Sequence, residues 1–370
     1  ICSCSCRSRG FYLAMYDFLI VGAGLYGSVF AERAKAAGKK VLVIEQRDHI
    51  GGNCYTEERS GINVHVYGPH IFHTDSKAVW SYINRFAEFN HFVNRVKVDY
   101  KDKLYSLPIN LFTLYQLWGV KTPEEAKRTL AAKTANIPNP KNMEEWCLAN
   151  LGEQIYETFF KGYTEKHWRR SPKALPASTV RRLPIRFTFD DNYYTHRYQG
   201  IPKGGYTQIF EKMLDGVEVK LNTTFEPDWR KYAKNLVYSG RPDQLLNYKY
   251  GELPYLTLMF KHKELPGDYQ GNAVINYTEK HLPYTRCVEH KHFEFGKQSN
   301  TIITHEYPVD WYKGATPYYP VPGKQELFER YKKEILSEGN VVLGGRLGLH
   351  KYFDMHQVIA SALKAAKDAL

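Results

Sequence analysis

The sequence predicts an α/β protein in which a discontinuous Rossmann-type dinucleotide-binding domain is interrupted by a helical domain and an antiparallel β-sheet domain. Three observations carry this. "DFLIVGAGLYG" sets a short apolar run directly against Gly22, Gly24 and Gly27. Residues 110–166 then read as helical and residues 253–320 as alternating strands. At the far end "NVVLGGRLG" and "DMHQVIASALKAAKDAL" return to a strand, a glycine turn and a helix.

The spacing predicts a strand over Asp17–Val21, a helix from Tyr26 to Ala37 that stops at Gly38, and a strand "KVLVI" with Glu45 at its carboxyl end. Each glycine of the fingerprint has a task. Gly22 allows a tight turn, Gly24 lets backbone amides approach a pyrophosphate, and Gly27 lets the helix pack close to the strand. The diphosphate would sit at the positive end of that helix. Glu45 would accept hydrogen bonds from an adenosine ribose and repel a 2′-phosphate, which disfavours NADP. Gly51 and Gly52 in "RDHIGGNCYT" follow at once, so the chain leaves the sheet early. A contiguous NAD domain would first repeat its strand–helix units. A helix beginning near Asp354 would also present its amino terminus to the electron-rich end of an isoalloxazine ring. Together these favour FAD.

Between the two halves, "NVHVYGPHIFHT" and "HFVNRVKVDYKDKLYSLP" read as strands, and helices follow from Asn110 with caps at Thr122 and Asn142. Alternation predicts an antiparallel sheet from Arg186–Tyr206 and Leu253–Pro320. The FAD-binding domain is therefore expected over 15–84, 207–246 and 321–370, the sheet domain over 85–109, 185–206 and 247–320, and the helical domain over 110–184. "RRSPKALPASTVRRLPIRF" is broken by Pro172, Pro176 and Pro184 and reads as a lid over about 170–186. Residues 1–14 hold Cys2, Cys4 and Cys6, have no signal-peptide core and no partner pair for zinc, and read as a disordered extension or an artefact. No metal site is expected.

Composition narrows the function classes. The net charge of +12 is dispersed among acids, with no basic arm for nucleic acid. No apolar run reaches the length of a membrane span. Cys54, Cys147 and Cys287 are scattered, which fits a reducing cytoplasm. The 29 Tyr stand out, because a phenol both stacks and hydrogen-bonds and so suits a site for a base and a phosphate.

From Met15 to Leu370 the chain resembles the bacterial UDP-galactopyranose mutases. The resemblance rests on "IVGAGLYG", "VLVIEQRDHIGGNCYT", "YGPHIFHT", "KGYTEKHW", "RYQGIPKGGYT", "GNAVINYT", "PYTRCVEHKHF", "PYYPV" and "GGRLGLHKYFDMHQVI". It implies interconversion of UDP-galactopyranose and UDP-galactofuranose, for galactofuranose-containing polysaccharide, by a cytoplasmic homodimer. Reduced FAD is implied as the active form, its N5 being the covalent nucleophile at the anomeric carbon with no net redox change. Arg182 and Arg286 match diphosphate-binding arginines, and His70 is the candidate for tuning the flavin, ahead of His73. Tyr163, Trp168 and Tyr193 match positions around the uridine, Tyr319 and Tyr352 tyrosines on the diphosphate, and Asn94 and Asn276 positions near the sugar. For FAD the resemblance implies Gly22, Gly24, Leu25, Gly27, Glu45 and Arg47 at the adenosine end. Gly52, Asn53, His70 and Ile71 follow, then Arg346, Tyr352, Asp354 and Met355. Tyr194 stands where Phe is expected, Phe353 where Tyr is, and the loop "YPVPGKQELFERY" is about two residues short. Two other readings remain: a flavin oxidase of the amine-oxidase kind, sharing the front end alone, and a non-catalytic UDP-sugar-binding flavoprotein.

Overall fold

The computed structural model describes residues 15–180 and 185–370. Residues 1–14 and 181–184, and with them Arg182, lie outside the described residues.

Strand β1 (Tyr16–Val21), helix α1 (Leu25–Ala36) and strand β2 (Val41–Ile44) form the predicted opening unit. Every residue of β2 is buried, as expected for a parallel strand covered on both faces. The full sheet runs Val341–Leu343, Ala233–Tyr238, β1, β2, Glu218–Lys220, with every neighbour parallel. Its outer members come from parts of the chain far from the fingerprint, so the nucleotide fold is discontinuous. One face is covered by α1 packed on Met355–Ala369 and Thr207–Leu214, the other by a layer that includes Phe328, Tyr331 and Ile335. Chain order reverses between β1 and Ala233–Tyr238, which opens a crevice at the carboxyl ends of the strands.

A second sheet has seven strands in the order Tyr319–Pro320, Tyr255–Pro266, Asn300–Asp310, Arg286–Glu289, Val274–Tyr277, Val96–Tyr100, Lys103–Leu107. The sequence predicts an antiparallel sheet; one pair, Val274–Tyr277 on Val96–Tyr100, is parallel. These two strands are separated by the whole helical layer, so no hairpin dictates their direction. The segment 185–206 also departs from expectation. Only Tyr198–Gly200 is strand, and it pairs with Phe72–Thr74 apart from the large sheet. Upstream of it, Asp190 Oδ1 accepts from Asn192 N (3.1 Å) and Asn192 Oδ1 from Tyr194 N (3.2 Å), local bonds that take the place of a ladder.

The helical layer contains Leu111–Trp118, Pro123–Lys133, Met143–Asn150 and Gly162–Trp168. Both predicted caps form: Glu125 N donates to Thr122 Oγ1 (3.3 Å) and Glu145 N to Asn142 Oδ1 (3.0 Å). A π-helical turn, Tyr156–Lys161, leads into Gly162–Trp168. The described part of the stretch expected as a lid, up to Val180, is packed structure. Leu175 and Val180 are buried in the core, and Met143 N donates to Leu175 O (2.9 Å). The apolar side chains between the prolines explain this; they anchor the segment before Arg181. Among the described residues no helix is long and apolar enough to cross a membrane.

Candidate active site

The glycine turn at the end of β1 is sterically committed. Gly22 has φ +101°, and a Cβ on Gly27 would stand 2.0 Å from the Gly22 carbonyl oxygen, so helix and turn touch backbone to backbone. A Cβ on Gly52 would stand 2.9 Å from Gly24 Cα, which brings the two glycine turns together. Gly24 caps α1 without a side-chain bond, so the N–H groups of the first turn, beginning at Leu25, are left for an anion. Glu45 is buried; it accepts from Ala23 N (2.8 Å) and Arg47 N (3.0 Å), fixing the turn to the end of β2. Arg47 donates to Asn53 Oδ1 (2.9 Å) and lies over the Tyr67 ring, yet its buried Nη1 has no protein partner. An open helix terminus, an orphaned guanidinium nitrogen and a backbone-lined cradle fit a dinucleotide pyrophosphate and its ribose.

Beyond this turn lies a cavity of ≈ 380 Å³. Its floor is the seven-stranded sheet. Register places Val98, Asn276, Arg286 and Glu306 in one row across four neighbouring strands, and all four line the cavity. Arg286 Nε lies 2.8 Å from Glu306 Oε2, and the carboxylate is 2 % exposed. Burial pushes the Glu306 carboxyl up even though the Arg286 guanidinium pulls the other way. The Oδ1 atoms of Asn94 and Asn276 are buried without partners, as acceptors held for a ligand would be.

One wall is helix Gly162–Trp168, which supplies Tyr163, Thr164, His167 and Trp168. The π-helical turn before it shifts the helical register that aims these side chains. Tyr163 stacks on His167, and Trp168 packs against Tyr319 and Tyr352. Burial raises the Tyr163 phenol to about 12, so it stays a neutral donor. The Tyr319 hydroxyl donates to His167 O (2.7 Å) and retains its lone pairs for a ligand donor. Tyr193 completes the opposite wall, its N–H bonded to Asn94 O (2.8 Å).

The remaining side faces the nucleotide fold. His70, Ile71 and His73 line it together with Arg346, Tyr352, Asp354 and Met355. Arg346 Nε and Nη2 donate to Phe353 O (3.0 and 2.6 Å) and fix the loop that carries Tyr352. Asp354 N donates to Gln357 Oε1 (2.8 Å), a capping-box bond that starts the last helix near Asp354, where a helix is expected. His70 Nδ1 bonds the Gly68 carbonyl (2.9 Å), and burial holds the imidazole down to about 4, neutral at pH 7.

The predicted substrate and flavin-ring residues that the structure describes thus share one cavity; Arg182 lies outside the described residues. The fingerprint residues Gly22, Gly24, Leu25, Gly27, Glu45, Arg47, Gly52 and Asn53 lie around the turn instead. Sequence reasoning missed Glu306, His167, Tyr318 and His196, all of which line the cavity. "THEYP" gave Glu306 no distinguishing signal, since only strand register sets it beside Arg286.

Behind the cavity His65 and His290 are buried side by side. His65 N donates to His290 Nδ1 (3.2 Å), and burial pushes His65 down to about 3 and His290 well below its usual range. Both are neutral when folded but take up protons when unfolded below about pH 6.5. The unfolded state then binds more protons, so stability falls with pH. By pH 5.5 each His should cost on the order of 1 kcal/mol. Thermal melts at pH 7.5 and 5.5 should show this loss, reduced in His65→Gln.

Comparison with known proteins places these features in context. A sequence model described as UDP-galactopyranose mutase matches residues 158–352, and one for an NAD(P)-binding Rossmann-like domain matches residues 20–86. A probable UDP-galactopyranose mutase of Klebsiella pneumoniae is 42% identical over 96% of this chain and 94% of its own length. A dTDP-fucopyranose mutase of Escherichia coli is 38% identical over 95% of this chain and 98% of its own. The crystal structure of a reduced UDP-galactopyranose mutase superposes with TM-score 0.76 at 15% identity, covering 95% of both chains. A putrescine oxidase superposes with TM-score 0.58 at 12% identity, over 95% of this chain and 98% of its own, a likeness of fold.

Proposed function

This chain belongs to the UDP-galactopyranose mutase family, and from that premise we propose that it interconverts UDP-galactopyranose and UDP-galactofuranose with FAD as its cofactor. The observation that carries the reading is the row Asn276–Arg286–Glu306 on the cavity floor, opposite the flavin-side residues His70, Arg346 and Tyr352. An oxidase has no need of a guanidinium there.

When bound, reduced flavin would supply a nucleophilic nitrogen for chemistry at the sugar's anomeric carbon, with UDP as the leaving group. The chain's own residues hold the two products of that cleavage in place. Arg286 faces the diphosphate, whose negative charge grows as the bond breaks, and Glu306 sets the guanidinium's orientation. Tyr352 bonds the same phosphates, Tyr319 packs behind Trp168 and Tyr352 with its hydroxyl proton held by His167 O, and Tyr163, Trp168 and Tyr193 enclose the uridine. Asn94 and Asn276 offer their unpaired oxygens to sugar hydroxyls. His70, neutral, presents Nε2 on the flavin side. The family resemblance implies a further diphosphate contact from Arg182, which lies outside the described residues.

The reading is tested by incubating dithionite-reduced protein with UDP-galactofuranose and separating the products by chromatography. UDP-galactopyranose should form and predominate, being the less strained ring, and oxidised protein should form none. Oxygen uptake coupled to turnover would favour the oxidase. The E. coli relative makes dTDP-fucopyranose the competing substrate; faster conversion of it than of the UDP sugar would replace the substrate named above. Arg182→Ala should lower turnover about a hundredfold, the loss of one charge-assisted contact, with the flavin still bound and reducible. Near-normal turnover would remove Arg182 from the site.

A further inference from the structure

The sequence gives no hint of a metal site, yet the fold gathers histidines from distant segments at the edge of the cavity. His73 lies on strand Phe72–Thr74, His196 just before Tyr198–Gly200, and Asp354 and His356 at the start of the last helix. A ligand atom from each of His73, Asp354 and His356 lies within 4.8 Å of the others. The His73 and His356 rings are 5.1 Å apart, centroid to centroid. Two imidazoles bound through one nitrogen each to a tetrahedral ion at about 2.0 Å place their centroids about 5 Å apart. His356 Nδ1 is buried with no protein partner.

We propose that His73, Asp354 and His356 bind one divalent transition-metal ion of the zinc class, with water from the cavity as the fourth ligand. Ligand chemistry supports that class. Two imidazoles and a carboxylate suit zinc, cobalt or nickel, whereas calcium and magnesium prefer oxygen alone. His196 supports the site from behind: its Nδ1 lies 2.8 Å from His73 Nδ1, so it fixes the ring's orientation and frees Nε2 for the ion. Asp75 Oδ2 lies 3.9 Å from His196 Nε2, beyond hydrogen-bond range, and adds a negative charge beside the pair.

A second cluster, Asp268, Glu289 and His292, meets the same distance criterion but is already committed. Glu289 accepts from the N–H groups of Tyr269, Gln270 and Gly271 and from Thr301, and the Lys291 ammonium pairs with Asp268. A cation there would meet Lys291 and displace backbone bonds.

The ion would brace the C-terminal helix, the strand after the "GPH" turn and the segment carrying Tyr193. It is independent of the substrate reading, since binding is measured without turnover. Flavin-containing protein is stripped with EDTA, desalted and titrated with Co²⁺, followed by the metal's visible d–d bands and by equilibrium dialysis, with Zn²⁺ as competitor. One Co²⁺ per chain should bind and be displaced by Zn²⁺. His356→Gln should weaken binding at least a hundredfold and His196→Gln about tenfold, with flavin absorbance retained. His292→Gln should leave it unchanged. No binding of either ion, equal binding in His356→Gln, or loss of binding in His292→Gln would overturn the assignment.

Discussion

Arg286→Ala should lower turnover about a thousandfold while the protein stays yellow. Two effects combine. A fork aimed at a leaving diphosphate is lost, which costs on the order of a hundredfold to a thousandfold in rate. The Glu306 carboxylate, 2 % exposed, is also left without its cation. Removing one partner of a buried pair costs about 3–5 kcal/mol unless the survivor changes its charge. Glu306 can do so, because burial already pushes its carboxyl up. In the variant it should take a proton on folding. The folded state then binds more protons than the unfolded one, so the loss of stability should grow as pH rises. Melts at pH 5 and pH 8 separate this from a simple loss of packing. Arg286→Lys, which keeps the charge without the fork, should restore most of the stability and little of the turnover. Turnover near normal in Arg286→Ala would remove the diphosphate role, and a pH-independent stability loss would remove the charge argument.

Gly27→Val should yield protein without flavin. A Cβ at this position would stand 2.0 Å from the Gly22 carbonyl oxygen, and that atom is backbone in a turn with φ +101° at Gly22. Relief requires moving α1 away from β1, and the N–H groups at the helix start move with it. The pyrophosphate then loses its donors. Glu45→Lys acts on the same turn from the other side, since Glu45 accepts from Ala23 N and Arg47 N. It should weaken flavin retention with less effect on the backbone. The measurement is the ratio of flavin to protein absorbance after desalting, with circular dichroism to check the fold. Full flavin occupancy in Gly27→Val would mean that the cofactor does not use this turn.

Local chemistry explains what the sequence disclosed. The fingerprint, the caps at Thr122 and Asn142 and the helix start at Asp354 are each specified within a few residues, and each forms. The aromatic residues of "GYTEKHW" were legible through the resemblance, and the cavity holds them. Non-local pairing was not legible. Glu306 becomes Arg286's neighbour only through the register of two strands, and Val274–Tyr277 runs parallel to Val96–Tyr100 because of a connection far outside any window. The segment before Tyr198 looked like alternation, but Asp190 and Asn192 spend their side chains on local backbone bonds. Leu175 and Val180 lay hidden among prolines in a stretch read as a lid.

The discontinuous sheet has a consequence for how the chain emerges during synthesis. β1 pairs with Ala233–Tyr238, whose other edge waits for Val341–Leu343, so the parallel sheet is complete only when nearly the whole chain has left the ribosome. The helices between residues 111 and 168 are all local and can form long before that. During the interval β1 and β2 expose apolar surface and unpaired edges, the condition under which nascent chains aggregate. The vulnerable period in this protein's life is therefore the translation of its middle two hundred or so residues, and slowing the ribosome there should lower the yield of folded enzyme more than slowing it near the start.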